Sequence, residues 1–130
     1  MLSLIAPRSF LNSMIFLSRH KEVSIPEVTL TEFVLGGAAA RAAKPALIDG
    51  TTGISITYGE LAQSVRRVAA GLATRGFQKG DVLAIYSPNC PEYAIAFHAV
   101  ASLGGINTTI NPLYTTEEVA HQLREGQSTC

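Results

Sequence analysis

Two prolines within four residues, Pro88 and Pro91, constrain the middle of this chain more than any other feature. A helix running through Val82 and Tyr86 could not continue past them, because proline lacks an N–H and its ring clashes with the preceding turn. The short apolar run Val82-Leu83-Ala84-Ile85-Tyr86, bounded by Gly80-Asp81 and Ser87-Pro88-Asn89, therefore reads as a strand, and its unbroken apolarity predicts cover on both faces. Pro91 suits the first turn of a new helix and pushes Cys90 out of the α region, which makes Cys90 or Asn89 the cap. From Pro91 to Leu103 only Glu92, Tyr93, His98 and Ser102 offer polarity, so this helix is expected to be internal. Gly104-Gly105 stops it, and the β-branched run Ile106-Asn107-Thr108-Thr109-Ile110 is the returning strand. Strand, helix and strand within about 30 residues make one βαβ unit with a right-handed crossover, so the fold class is α/β.

The flanks add helices and a hairpin. Thr29 and Glu32 have capping-box spacing ahead of Leu30, Phe33, Val34, Ala38 and Arg41, which follow helical periodicity, with Gly36-Gly37 weakening the helix. Pro45 to Asp49 and Ile54 to Thr57 are short strands around Gly50-Thr51-Thr52-Gly53. Gly- and Thr-rich loops cradle phosphates through backbone N–H groups, but such a loop normally carries a lysine and opens a helix. This one runs into Ile54-Ser55-Ile56 with neither, so it reads as a hairpin turn. Thr57 and Glu60 form a second capping box, launching a helix whose apolar stripe is Leu61, Val65, Val68 and Leu72 and whose end is Arg75-Gly76. Arg66 and Arg67 point about 100° apart on that helix, so they make a solvated face rather than a phosphate clamp. Thr115 and Glu118 form a third box, followed by Val119, Ala120 and Leu123 as the buried side of a short helix, while Glu125 to Cys130 shows no strand or cap logic.

Ten basic and ten acidic side chains cancel, and the few aromatics are not interleaved with basic residues, so no field or stacking groove draws nucleic acid. Cys90 and Cys130 make neither a metal pattern nor a disulfide framework, which points to a reducing compartment. Cys90 precedes a helix N-terminus that would favour a thiolate, but no His or Asp is placed beside it, and it reads as a turn cysteine. His98, within the apolar helix, reads as a neutral, hydrogen-bonded core residue. His121 lies four residues from Glu117 without a third ligand and reads as a surface histidine. No run reaches the 18 or so apolar residues of a membrane span. Residues 1–21 contain no acid but include Arg8, Arg19 and Lys21. That composition resembles a weak mitochondrial transit peptide interrupted by Pro7, against an unstructured leader.

Taken together, these segments resemble the N-terminal part of the adenylate-forming, AMP-binding synthetases, most closely the 4-coumarate–CoA ligase-like and acyl-CoA ligase branch. The residues that carry the resemblance are Ile15-Phe16, Ile25-Pro26 and the segment from Leu30 to Leu35, then Ile56-Thr57-Tyr58-Gly59-Glu60-Leu61. They continue through Gly71-Leu72, Gly76-Phe77, Lys79-Gly80-Asp81-Val82, Ser87-Pro88-Asn89-Cys90-Pro91-Glu92-Tyr93, and Gly104-Gly105 leading to Asn111-Pro112-Leu113-Tyr114-Thr115. Their order and spacing extend over about 110 residues. The resemblance implies ATP-dependent activation of a carboxylic acid to an acyl-adenylate and transfer to coenzyme A, with magnesium neutralising the phosphates. The family's phosphate loop ending in Pro-Lys-Gly, its Tyr-Gly-x-Thr-Glu segment, its ribose-binding Asp and its C-terminal lysine have no counterpart in this sequence.

The expectation is therefore a leader or extended N-terminus over residues 1–23, followed over 24–130 by a partial AMP-binding domain that stops before the phosphate loop. Catalytic, cofactor-binding and metal-binding residues are expected to be none in this chain, with ATP, Mg²⁺ and CoA belonging to the full-length family. Ser87 and Asn89 lie where open α/β sheets bind ligands, but a turn and a helix cap account for them. The expected compartment is cytoplasmic, with mitochondrial as the alternative. A non-catalytic module that binds a partner through an unpaired sheet edge is the competing reading of the function.

Overall fold

The computed structural model describes residues 19–127, so most of the expected leader, Ile15-Phe16 and Cys130 lie outside the described residues. The order of elements is α1 (Leu30–Leu35), a short 3₁₀ turn (Ala39–Arg41), β1 (Pro45–Ile48), β2 (Ser55–Thr57), α2 (Tyr58–Thr74), β3 (Val82–Tyr86), α3 (Pro91–Ser102), β4 (Ile106–Ile110) and α4 (Thr116–Gln127).

β3 and β4 pair in parallel, Val82 opposite Ile106 and Tyr86 opposite Ile110, with α3 as the crossover. β1 and β2 form a separate antiparallel hairpin whose register slips between Pro45 and Leu47. The fold is mixed α/β, as the sequence implies. Alternate residues of a strand face opposite sides, and β4 uses both. Asn107 Nδ2 donates to the Phe97 carbonyl of α3 at 3.1 Å, whereas the Thr108 side chain lies about 3.6 Å from the position a Cβ on Gly126 of α4 would take. The parallel pair thus carries α3 on one face and α4 on the other.

Local chemistry explains the helix ends. The Thr57 hydroxyl accepts from Glu60 N–H while the Glu60 carboxylate accepts from Thr57 N–H at 2.8 Å, the reciprocal box that starts α2. Thr115 and Glu118 repeat it ahead of α4. Thr29 accepts from Glu32 N–H at 3.1 Å to start α1. Gly76 takes φ +91° just past α2, and Gly104 takes φ +73° just past α3, conformations that cost a side chain dearly. Cys90 caps α3 with extended backbone and Pro91 occupies its first turn.

The core is small and built around α3, where Ala99 and Val100 are fully buried, joined by Leu61, Ala62, Val65 and Ala69 of α2, Ile85, Ile110 and Ala38. Burying one such valine side chain is worth roughly 1.5–3 kcal/mol.

Four expectations are corrected. β3 is not covered on both faces: Ala84 is exposed and Tyr86 is 53% exposed, because α4, which touches β3 and β4 alike, leaves these two side chains uncovered. In α1 the buried residue is Thr31, while Leu30, Phe33 and Val34 face outward, since the helix is docked on α3 through the Thr31 hydroxyl. In α2 the buried stripe is Leu61, Ala62, Val65 and Ala69 rather than Leu61, Val65, Val68 and Leu72, because two small alanines let α3 approach and leave Val68 at the rim. Finally, α4 continues through Gln127, so Glu125-Gly126-Gln127 is helical.

Candidate functional site

Ligands of open α/β sheets bind beyond the carboxyl ends of the strands, which here means Ser87 to Asn89 after β3 and Asn111 to Tyr114 after β4. Each loop is held by its own polar atoms. The Ser87 hydroxyl donates to the Pro88 carbonyl at 3.0 Å and lies 3.7 Å from Cys90 Sγ. Asn111 Oδ1 accepts from Leu113 N–H at 3.0 Å, an Asx turn. The Tyr86 hydroxyl spans from β3 to this second loop, donating to the Pro112 carbonyl at 3.1 Å with the Tyr114 carbonyl at 3.4 Å.

The hairpin turn closes over the same end of the fold. Leu47, Ile48, Asp49, Asn89, Cys90 and Pro91 line a cleft of about 330 Å³ between the turn and the start of α3. Asp49 Oδ1 accepts from Thr51 N–H at 2.8 Å and Thr52 N–H at 3.1 Å. Those two amides hold the Asp49 carboxyl below its usual range, the Thr52 amide contributing most. The Gly-Thr-Thr-Gly turn therefore already carries an anion on its backbone donors. A phosphate placed there would meet that carboxylate with no cationic side chain lining the cleft, so these residues do not fit a nucleotide phosphate.

The other residues singled out by sequence fall elsewhere. Arg66 and Arg67 are exposed on α2. His98 is half-buried between α1 and α3, where the Thr31 hydroxyl donates to the His98 carbonyl at 3.0 Å and lies 3.3 Å from Nδ1. With its single proton given to the carbonyl, the hydroxyl is left to accept from Nδ1, which places a proton on that nitrogen. Desolvation by burial lowers its pKa from 6.5, in keeping with a neutral structural histidine. His121 is exposed beside Glu117 and Glu118 on α4, and among the described residues no group of three His, Cys, Asp or Glu side chains could hold a metal. The Glu60 and Glu118 carboxyls are lowered chiefly by the backbone N–H of Thr57 and Thr115, as caps should be.

Sequence reasoning missed Asp49 and Tyr86. An acidic residue two positions before a Thr in a Gly-rich turn is the Asx-turn signal that identifies Asp49. Tyr86 has no local signal, because its partners lie across the parallel pair.

The family model for AMP-binding enzymes matches residues 36–130. 4-Coumarate–CoA ligase 3 of Oryza sativa subsp. japonica is 44% identical over 110 residues, which cover 84% of this chain and 20% of that protein. Among solved structures, a benzoate CoA ligase from Burkholderia xenovorans LB400 superposes with a TM-score of 0.72 at 27% identity over 77% of this chain and 20% of its own. The N-terminal domain of FACL13 from Mycobacterium tuberculosis gives 0.71 at 25% identity, over 76% of this chain and 25% of that domain. The chain thus spans about a fifth of the length of the curated relatives it matches.

Proposed function

The chain belongs to the family of AMP-binding enzymes, and on that premise we propose that it forms the N-terminal scaffold of an ATP-dependent acyl- or aryl-CoA ligase of the 4-coumarate–CoA ligase kind. In such an enzyme a carboxylate displaces pyrophosphate from ATP to give an acyl-adenylate, and the thiol of coenzyme A then displaces AMP to give the thioester. The 44% identity with the rice ligase across 110 residues is the observation that supports this reading most.

The scaffold role assigns work to particular residues. α3 and its crossover hold β3 and β4 in register, the Asp49 turn closes the carboxyl end, and Tyr86 fixes the loop after β4. None of these groups activates a carboxylate, cradles a triphosphate or binds magnesium. We therefore assign residues 24–130 to part of an AMP-binding domain and place ATP, Mg²⁺, CoA and the carboxylate substrate on the longer enzyme. Its compartment is proposed to be cytoplasmic; among the described residues no helix is long and apolar enough to cross a membrane. A reporter fused to residues 1–21 that enters mitochondria would move it there.

The test is carboxylate-dependent ATP–pyrophosphate exchange by the purified 130-residue chain with 4-coumarate and Mg²⁺. Exchange at the level of a protein-free blank is expected, and exchange above that blank refutes the scaffold reading.

A further inference from the structure

Exposed apolar side chains gather at the start of the described chain. Val23, Ile25, Pro26, Val28, Leu30 and Phe33 line a concavity of about 440 Å³, with Val23 80%, Ile25 84% and Phe33 67% exposed. Contiguous apolar surface with a polar rim marks a place that another segment covers. The rim here has one sign of charge: Glu22, Glu27 and Glu32 are exposed around it, and no lysine or arginine occurs from residue 22 to residue 40. A fitting cover is therefore apolar, carries cations and lacks acids.

The chain's own first residues have that chemistry. Leu11, Met14, Ile15, Phe16 and Leu17 are apolar, and residues 1–21 contain Arg8, Arg19 and Lys21 but no acid. The described chain begins at Arg19, four residues before Val23, and its backbone bends at Arg19-His20. Five polar residues, Ser18 to Glu22, separate Leu17 from Val23, a length that hairpin loops commonly have. So short a tether holds the preceding residues at a local concentration on the order of millimolar, which a second copy of the chain would have to match. The receiving segment is also open: residues 21–26 form neither helix nor strand, and among the described residues none partners the backbone groups of Val23, Ser24 or Ile25.

From these observations we propose that Met14 to Leu17 folds back antiparallel along Val23 to Pro26, with Leu17 opposite Val23 and Ile15 opposite Ile25, and covers the apolar groove beside Phe33. Alternation then puts Ile15 and Leu17 on the same side as Val23 and Ile25, and Phe16 on the other side with Ser24. Arg19 and Lys21 fall in the turn, next to the acidic rim. The start of the chain is thus a strap that belongs to the fold, rather than a free extension. Groove and strap both lie ahead of residues 36–130, the stretch the family model matches, so the inference stands apart from the ligase reading.

The experiment is solution NMR on the full 130-residue chain, reading side-chain contacts and amide hydrogen exchange. Expected are contacts from the Ile15 and Leu17 methyls to Val23, Ile25 or Phe33, joining atoms of one molecule in a mixture of labelled and unlabelled chain. Ile15→Asn and Leu17→Asn should each weaken these contacts at least about fivefold and speed amide exchange across Val23 to Ile25 at least about threefold. Phe16→Asn should leave both within about twofold, because that side chain faces away from the groove. The three substitutions lie outside the α2–α3 core, and unchanged amide shifts in α2 and α3 verify that the rest of the fold is intact. Absence of the contacts in the unsubstituted chain overturns the proposal, as does a loss with Phe16→Asn equal to that with Ile15→Asn. Contacts that join two molecules assign the groove to a second copy and overturn it as well.

Discussion

Two glycines should respond in opposite directions to the same added methyl group. A Cβ on Gly105 would lie 2.5 Å from Phe77 Cε1, 2.7 Å from Phe77 Cζ and 2.9 Å from Val100 Cγ1. Contacts that short force a shift, and the neighbours have little room, because Val100 is 0% exposed and Gly105 N–H is fixed to the Val100 carbonyl at 3.0 Å. Overpacking of this kind costs about 1–3 kcal/mol. Gly71 lies in the exposed part of α2, and a Cβ there meets nothing within 4 Å. Gly71→Ala should stabilise by up to about 1 kcal/mol, because alanine loses less backbone freedom in a helix. Urea unfolding of the full chain separates the two. With a slope of about 1.5 kcal/mol per molar, a 2 kcal/mol loss lowers the Gly105→Ala midpoint by about 1.3 M, and Gly71→Ala raises it by up to about 0.7 M. A Gly105→Ala midpoint within about 0.2 M of the parent would refute the packing of Phe77 and Val100 against the start of β4.

Three further outcomes follow from the hydrogen bonds. Thr57→Ala should cost about 1 kcal/mol in the same urea assay, with Thr57→Ser retaining most of it, because the hydroxyl accepts the Glu60 amide. Tyr86→Phe should cost about 0.5–1.5 kcal/mol and speed exchange of the Leu113 and Tyr114 amides, since the loop after β4 loses its tie to β3. His98 has its folded pKa lowered by burial from 6.5, so the unfolded chain binds the proton more readily. Its contribution is therefore full above about pH 6.5 and falls as the pH drops through that value towards the folded pKa. His98→Gln should flatten that part of the stability profile, and an unchanged slope between pH 7 and 5 would show that the ring is solvated.

The fold was legible where covalent geometry dictates it. Pro88 and Pro91 separate β3 from α3, Gly76 and Gly104 terminate helices, and three Thr-x-x-Glu spacings start them; these act within four residues and need no tertiary partner. What was not legible depends on partners far along the chain. Periodicity put Leu30, Phe33 and Val34 on one helical stripe without saying which way it faces; the Thr31 hydroxyl found the His98 carbonyl 67 residues away, and the apolar stripe faces outward. Val68 was displaced from the core because Ala62 and Ala69, neutral in any hydrophobic pattern, allow α3 to approach on their side. At the carboxyl end, the choice between phosphate loop and hairpin turn was readable from the missing lysine. The stronger reason, Asp49 occupying the turn amides, is visible only in three dimensions.

The central claim, that this chain serves as the N-terminal scaffold of an acyl- or aryl-CoA ligase, is tested most directly by grafting. Residues 19–127 replace the matched stretch of rice 4-coumarate–CoA ligase 3, and formation of 4-coumaroyl-CoA is followed with ATP and Mg²⁺. The account predicts a folded chimera that makes the thioester at no less than about a tenth of the parent rate, a loss of about 1.4 kcal/mol at most in the barrier. A folded chimera that forms neither adenylate nor thioester would contradict it.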